Sequence, residues 1–249
     1  MANASSFVWY ELMTRDVAAA KLFYGKAIGW DHEDAPMPEG SYTLFKVGGR
    51  QVAGMMALPP HLRDAGMGPF WSAYIGVADV DAGAAKVVRL GGKVHHPPTD
   101  IPGVGRFSTV SDPQGALFNL FKPATAGDSN APGYAGWHEL HTDDWHQAFD
   151  FYSAMFGWER GEAHDMGPMG TYQLFTIGGV PAGGMFNSPS TARFWLFYFN
   201  VDEINAGARR IAGAGGTIRQ GPMQVPGGSW VAQAADPQGA AFAVMTPPK

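Results

Sequence analysis

The chain has 249 residues, 45% of them hydrophobic and 13% aromatic, which supports folded cores and excludes general disorder. Only 16% are charged and the net charge is −5, so the basic face that nucleic-acid binding needs is not expected. There is no cysteine, which excludes disulfides, thiolate metal sites and a cysteine nucleophile. No run of apolar residues is long enough for a membrane span, and Met1–Phe7 lacks the pattern of a signal peptide. A cytoplasmic protein is the expectation.

In chain order, Phe7–Met13 alternates and is aromatic-rich, as a half-buried strand does. Asp16 then suits the N-cap of a helix carrying Val17, Ala20 and Phe23-Tyr24, with Gly29 at its end. Tyr42–Val47 and Gln51–Leu58 read as strands turning at Gly48-Gly49. Trp71–Val77 is a further strand, and Val80–Leu90 a helix stopped by Gly91-Gly92. Lys93–His96, Arg106–Val110 and Ala116–Phe121 close the series as short strands. His61–Pro69 and Ala163–Met169 are expected loops.

The same order then begins again. Phe7–Trp30 matches Tyr134–Trp158, with Trp9 on Trp137, Glu11 on Glu139 and Tyr24 on Tyr152, each 128 residues apart. Gly40–Met56 matches Gly170–Phe186 at an offset of 130, and Ser111–Pro123 matches Ala235–Pro247 at 124. The small changes of offset are short indels, which belong in loops. The chain therefore divides into module one at 1–123, a small polar Pro/Gly-containing linker at 124–134, and module two at 135–249. Four βαβββ units are expected, an α+β architecture.

Two pieces carry a family resemblance. One is D-x-x-x-A-x-x-F-Y-x-x-x-x-G-W, found at Asp16–Trp30 and Asp144–Trp158. The other is D-P-x-G followed by an apolar strand, at Asp112–Leu120 and Asp236–Val244. Together they resemble the vicinal-oxygen-chelate superfamily, which includes glyoxalase I, bleomycin-resistance proteins and extradiol dioxygenases. The W-[YH]-E-L opening resembles a tandem glyoxalase-like subgroup, part of it linked to antibiotic biosynthesis and mycobacterial antigens. The resemblance implies curved mixed sheets around cavities. It does not fix a reaction, because the fold hosts several chemistries.

The resemblance also implies three metal-ligand positions per module, two for His and one for Glu. Here they hold Trp9, Ser72 and Asn119 in module one, and Trp137, Leu196 and Ala243 in module two. None is a His or Glu, so no metal or other cofactor is expected at the usual sites. Gly103-Val104-Gly105 precedes no helix, and Gly-x-Ser-x-Gly is absent, so neither a dinucleotide site nor a nucleophile elbow is expected.

Period two along the first strand puts Trp9, Glu11 and Met13 on one face and Val8, Tyr10 and Leu12 on the other. The resemblance makes the Trp9 face the cavity side, so Glu11 and Glu139 point inward. They are the candidate acid/base groups, or else structural hydrogen-bond partners of a neighbouring strand. Ser72, Tyr74 and Asn119, with His141 and Tyr198 in module two, are the candidate ligand contacts alongside Trp9 and Trp137. The tyrosines could equally fill the core, and Asn119 could satisfy a strand backbone. Residue content leans toward module one as the working site. His138 and His141 fall on opposite strand faces, which excludes a shared metal. His95-His96 are placed in a loop before Pro97-Pro98, and His32, His61, His146 and His164 in loops or on a helix surface.

Three functions follow as expectations. The first is a metal-free small-molecule binder for an apolar or aromatic metabolite. The second is a metal-independent lyase, isomerase or tailoring enzyme using Glu11 or Glu139. The third is an interaction protein with vestigial cavities. No nucleic-acid or membrane partner is expected. Pairing of the two modules within the chain allows a monomer, and a homodimer stays open.

Overall fold

The computed structural model describes residues 5–37, 40–124, 135–188 and 192–246; most of the linker at 124–134 lies outside them. Module one runs β1 (Phe7–Thr14), α1 (Val17–Ala27), β2 (Asp31–Met37), β3 (Gly40–Val47), β4 (Arg50–Ala57), α2 (Pro60–Asp64), β5 (Phe70–Gly76), α3 (Val80–Arg89), β6 (Lys93–Ile101), β7 (Gly105–Ser111) and β8 (Leu117–Pro123). Module two repeats the series as β9 (Ala135–Thr142), α4 (Trp145–Phe156), β10 (Glu159–Asp165), β11 (Thr171–Ile177), β12 (Val180–Asn187), β13 (Phe194–Asn200), α5 (Ile204–Gly213), β14 (Thr217–Gln224), β15 (Trp230–Ala235) and β16 (Ala241–Thr246). These are the four βαβββ units of an α+β protein. The strands form two eight-stranded mixed sheets, ordered β2-β3-β4-β1-β5-β8-β7-β6 and β10-β11-β12-β9-β13-β16-β15-β14. Among the described residues no helix is long and apolar enough to cross a membrane.

Local chemistry sets the boundaries. The Asp16 carboxylate accepts from Ala19 N at the start of α1, and Asp144 does the same for His146 and Gln147 at the start of α4. The β3–β4 hairpin turns at Gly48 and Gly49, both with positive φ (55° and 79°), the geometry a two-residue turn needs between twisted strands.

Expectations are corrected at the sheet edges and at His61. β2 and β10, which complete the expected βαβββ order, had no position assigned, because an edge strand with both faces wet shows no alternation; their sequences, DHEDAPM and ERGEAHD, are largely exposed. His32 and His164 therefore lie on strands, and β10 takes up the first part of the Ala163–Met169 loop. β6 does not stop at His96 but runs through Pro97-Pro98 to Ile101. Proline is tolerated there because β6 is an edge strand, and its pairing with β7 shifts register twice around those residues. His61, expected in a loop, lies in the one-turn helix α2.

The compact units do not follow the repeats. One gathers residues 5–8, 73–124, 137–188 and 192–195, the other residues 9–37, 40–72, 135–136 and 196–246. Within each unit, the helix of one module's F-Y motif meets the D-P-x-G turn of the other module. In the second unit the Tyr24 hydroxyl donates to Asp236 (3.1 Å) and accepts from Trp71 Nε1 (2.8 Å). In the first, Tyr152 donates to Asp112 (3.2 Å) and accepts from Trp195 Nε1 (3.0 Å). Burial pushes both tyrosines well above their usual pKa, with the neighbouring aspartate adding to the effect, so they stay protonated donors. The glutamine of each turn completes the join. Gln238 accepts from Asp16 N and donates to Asp16 O, and Gln114 accepts from Asp143 and Asp144 N and donates to Asp144 O. Buried aromatic rings pack around these bonds, including Trp158 stacked on Phe175 at 4.5 Å.

His138 belongs to the core, not to a site. Its ring stacks on Phe7 at 3.8 Å and its Nδ1 lies 2.7 Å from the Ala182 carbonyl. Burial pushes its pKa from 6.5 down to about 4, so the folded chain holds it neutral, with Nδ1–H donating. That stability is fully present above the unfolded pKa of 6.5 and is lost as pH falls through about 4. A shift of this size corresponds to about 3 kcal/mol. Urea unfolding of wild type and His138→Phe across this window should show the variant lacking that acid-side loss. Parallel pH profiles for the two proteins would show that His138 does not contribute it.

Candidate functional site

The inward face of β1 carries a hydrogen-bonded chain. Trp9 Nε1 donates to the Tyr42 hydroxyl (2.9 Å), and Tyr42 donates to Glu11 Oε1 (2.7 Å). Glu11 is only 4% exposed. Burial, reinforced by the Glu11 charge, pushes the Tyr42 phenol well above its usual pKa, so it remains a donor. Tyr42 reaches Glu11 from β3 by lying across Gly54 of β4, the residue paired with Glu11 in the parallel ladder. A Cβ on Gly54 would sit 1.9 Å from the Tyr42 hydroxyl, so the crossing requires glycine.

Module two builds the same chain and extends it. Trp137 Nε1 donates to Tyr172 (2.8 Å), and Tyr172 donates to Glu139 Oε2 (3.0 Å) across Gly184. The other carboxylate oxygen, Oε1, lies 2.9 Å from His141 Nε2. His141 Nδ1 in turn lies 3.2 Å from Ser188 Oγ. The imidazole stacks on Phe194 at 4.4 Å and meets the edge of Phe186 at 4.8 Å. Its side chain is 12% exposed. In module one the repeat places Met13 and Leu58 where module two has His141 and Ser188. Only module two therefore joins its carboxylate to a titratable base at these positions.

The other candidate residues are accounted for separately. Tyr74 and Asn119 face each other as partners in the β5–β8 ladder, and Tyr74 packs against Phe107 and Phe121. The Asn119 amide donates to Ala73 O and accepts from Thr109 Oγ1 (2.7 Å), which is the backbone-satisfying role. The Tyr198 hydroxyl accepts from Gln233 Nε2 at 2.8 Å. Ser72, Leu196 and Ala243 are buried. Trp71 and Trp195 are buried against the helix tyrosines.

A family model for the glyoxalase/bleomycin resistance protein/dioxygenase superfamily matches residues 6–120 and again 135–244. The chain belongs to that superfamily. It is 36% identical over 246 residues to CFP32 of Mycobacterium tuberculosis, which bears a glyoxylase name, covering 96% of this chain and 94% of the relative. It is 33% identical over 257 residues to the anthracycline biosynthesis protein DnrV of Streptomyces peucetius, covering 95% and 91%. Among solved structures, the Mn(II)-bound glyoxalase of Novosphingobium aromaticivorans superposes with a TM-score of 0.66 at 17% identity, covering all of this chain and 84% of that one. That likeness concerns the fold.

The superfamily raises the question of a divalent metal, and the donor chemistry at the expected positions does not fit one. The Trp9 and Trp137 indoles offer N–H donors already used on tyrosines. Both polar atoms of Asn119 are engaged within the sheet, and Leu196 and Ala243 carry no donor. Among the described residues no group of three or more His, Asp and Glu is placed to hold a metal.

Sequence reasoning placed Trp9, Glu11, Trp137, Glu139 and His141 on the right faces but missed Tyr42, Tyr172 and Ser188. The tyrosines had a signal, since both stand third in the repeated G-[ST]-Y-x-L-F segment. Gly184→Ala places a Cβ 2.1 Å from the Tyr172 ring. It should displace that ring, break the bond to Glu139 and cost about 1–3 kcal/mol in chemical denaturation. Unchanged stability would show that the tyrosine has room to move.

Proposed function

We propose that the protein binds a flat, oxygenated aromatic metabolite in module two, without a metal at the superfamily's ligand positions. The observation that carries this reading is the part-exposed His141 imidazole, backed by the buried Glu139 carboxylate and framed by Phe186 and Phe194. Stacking surfaces with a few fixed polar groups are what small-molecule sites use. The anthracycline biosynthesis name of one relative supports an aromatic, oxygen-rich ligand. The donor set at the metal positions supports the metal-free part.

The test is calorimetric titration with a panel of hydroxylated polycyclic quinones and phenols, beside elemental mass spectrometry of the purified protein. Binding is expected to weaken about tenfold or more, or 1.4 kcal/mol, in His141→Ala and in Phe194→Ala. Met13→Ala, at the equivalent place in module one, should bind as wild type does. Binding untouched by His141→Ala would remove module two as the site, and about one tightly held transition metal per chain would overturn the metal-free reading.

A second reading has its own observation. A carboxylate 2.9 Å from an imidazole orients it as an acid/base group is oriented. On this reading Glu139→Gln lowers turnover of a processed ligand about a hundredfold while Glu11→Gln leaves it unchanged. Equal effects of the two substitutions would count against it.

A further inference from the structure

His141 has a different partner on each ring nitrogen: Glu139 Oε1 at Nε2 (2.9 Å) and Ser188 Oγ at Nδ1 (3.2 Å). The tautomer with its proton on Nε2 donates to the Glu139 carboxyl oxygen, which accepts. That tautomer leaves the lone pair on Nδ1, aimed at the Ser188 hydroxyl. Tyr172 donates to the second oxygen of Glu139 and fixes the carboxylate in turn. Acid, imidazole and hydroxyl in this order are what activates a serine, and such sets are recognised by geometry and role on unrelated folds.

The backbone holds the three in place. Glu139 and His141 lie two residues apart on one face of β9. Ser188 directly follows β12, and its N–H donates to Thr142 O (2.8 Å), which pins the hydroxyl beside the end of β9. Ser188 is part-exposed, as are Phe186 and Phe194 around the imidazole. No Gly-x-Ser-x-Gly turn is involved, which is why the sequence carries no nucleophile signal.

We infer that Ser188, His141 and Glu139 form a nucleophilic triad that cleaves activated esters of small aromatic molecules, an inference that rests on module two being the working site. Ser188 Oγ bonds to the ester carbonyl carbon while its proton passes to His141 Nδ1. The carbon–oxygen bond to the leaving alcohol or phenol then breaks, and that oxygen takes the proton from His141. Water attacks the acyl-serine, giving its proton to His141. The carboxylic acid departs, and the proton returns to Ser188.

The experiment treats the full-length protein with phenylmethylsulfonyl fluoride and reads intact mass and peptide maps. The Oγ–S bond forms, fluoride leaves, and the serine proton goes through His141 to solvent. One adduct per chain is expected, mapped to Ser188 and absent in Ser188→Ala. Labelling should slow about a hundredfold or more in His141→Gln, with hydrolysis of p-nitrophenyl acetate falling in parallel. The Ser188→Ala variant should keep the wild-type thermal midpoint, so loss of the adduct reports the hydroxyl and not the fold. No adduct on the wild type, or one that forms as fast in His141→Gln, overturns the triad. If ligand binding persists in that case, the binding reading stands alone; labelling at Ser188 without any ligand binding overturns the binding reading and leaves the triad.

Discussion

A tyrosine hydroxyl buried against an aspartate carboxylate organises each compact unit. Tyr24 with Asp236 and Tyr152 with Asp112 join a helix of one module to a strand turn of the other, deep among aromatic rings. Burial raises the pKa of both members of each pair, yet the aspartates also accept backbone N–H groups from their own turns. These bonds offset the cost of burying the carboxylate, and removing either partner would leave the other with a polar atom to satisfy. The surrounding tryptophans are held by the same hydroxyls, so polar and apolar packing are specified together.

The two inward strand faces start from one chemical plan and end with different capacities. Both use an indole, a phenol and a carboxylate in sequence. Module one carries Met13 two residues after Glu11, while module two continues from Glu139 through His141 to Ser188. Duplication makes this division natural: one copy can keep the shared bonds as scaffold while the other adds an imidazole to them.

Much of this was legible from the residues. The repeat exposed both modules, and period two assigned Trp9, Glu11, Trp137, Glu139 and His141 to their faces. The edge strands were not legible, because Asp31–Met37 and Glu159–Asp165 bury neither face and so have no period. Residue types alone favoured module one, with Glu11, Ser72, Tyr74 and Asn119. The structure shows Asn119 hydrogen-bonded to Thr109 and Ala73, the backbone-satisfying alternative that residue type alone left open. Ser188 escaped because its partner is 47 positions away and its role depends on the exact end of β12.

The two tyrosine–aspartate joins are alike in chemistry and unlike in the length of chain they close. Tyr152 and Asp112 are 40 residues apart, whereas Tyr24 and Asp236 are 212 apart. Loop-closure entropy for a free chain makes the longer join about 1.5 kcal/mol more costly. During synthesis the order is stricter still. The unit built on Tyr152 has all its residues once position 195 has left the ribosome. The unit built on Tyr24 has made its first strands and helix by residue 72 but waits for residues 196–246 to arrive. Its aromatic helix face, with Phe23 and Tyr24, stays uncovered by those residues for that interval, an apolar surface whose partner ring, Phe242, is made last.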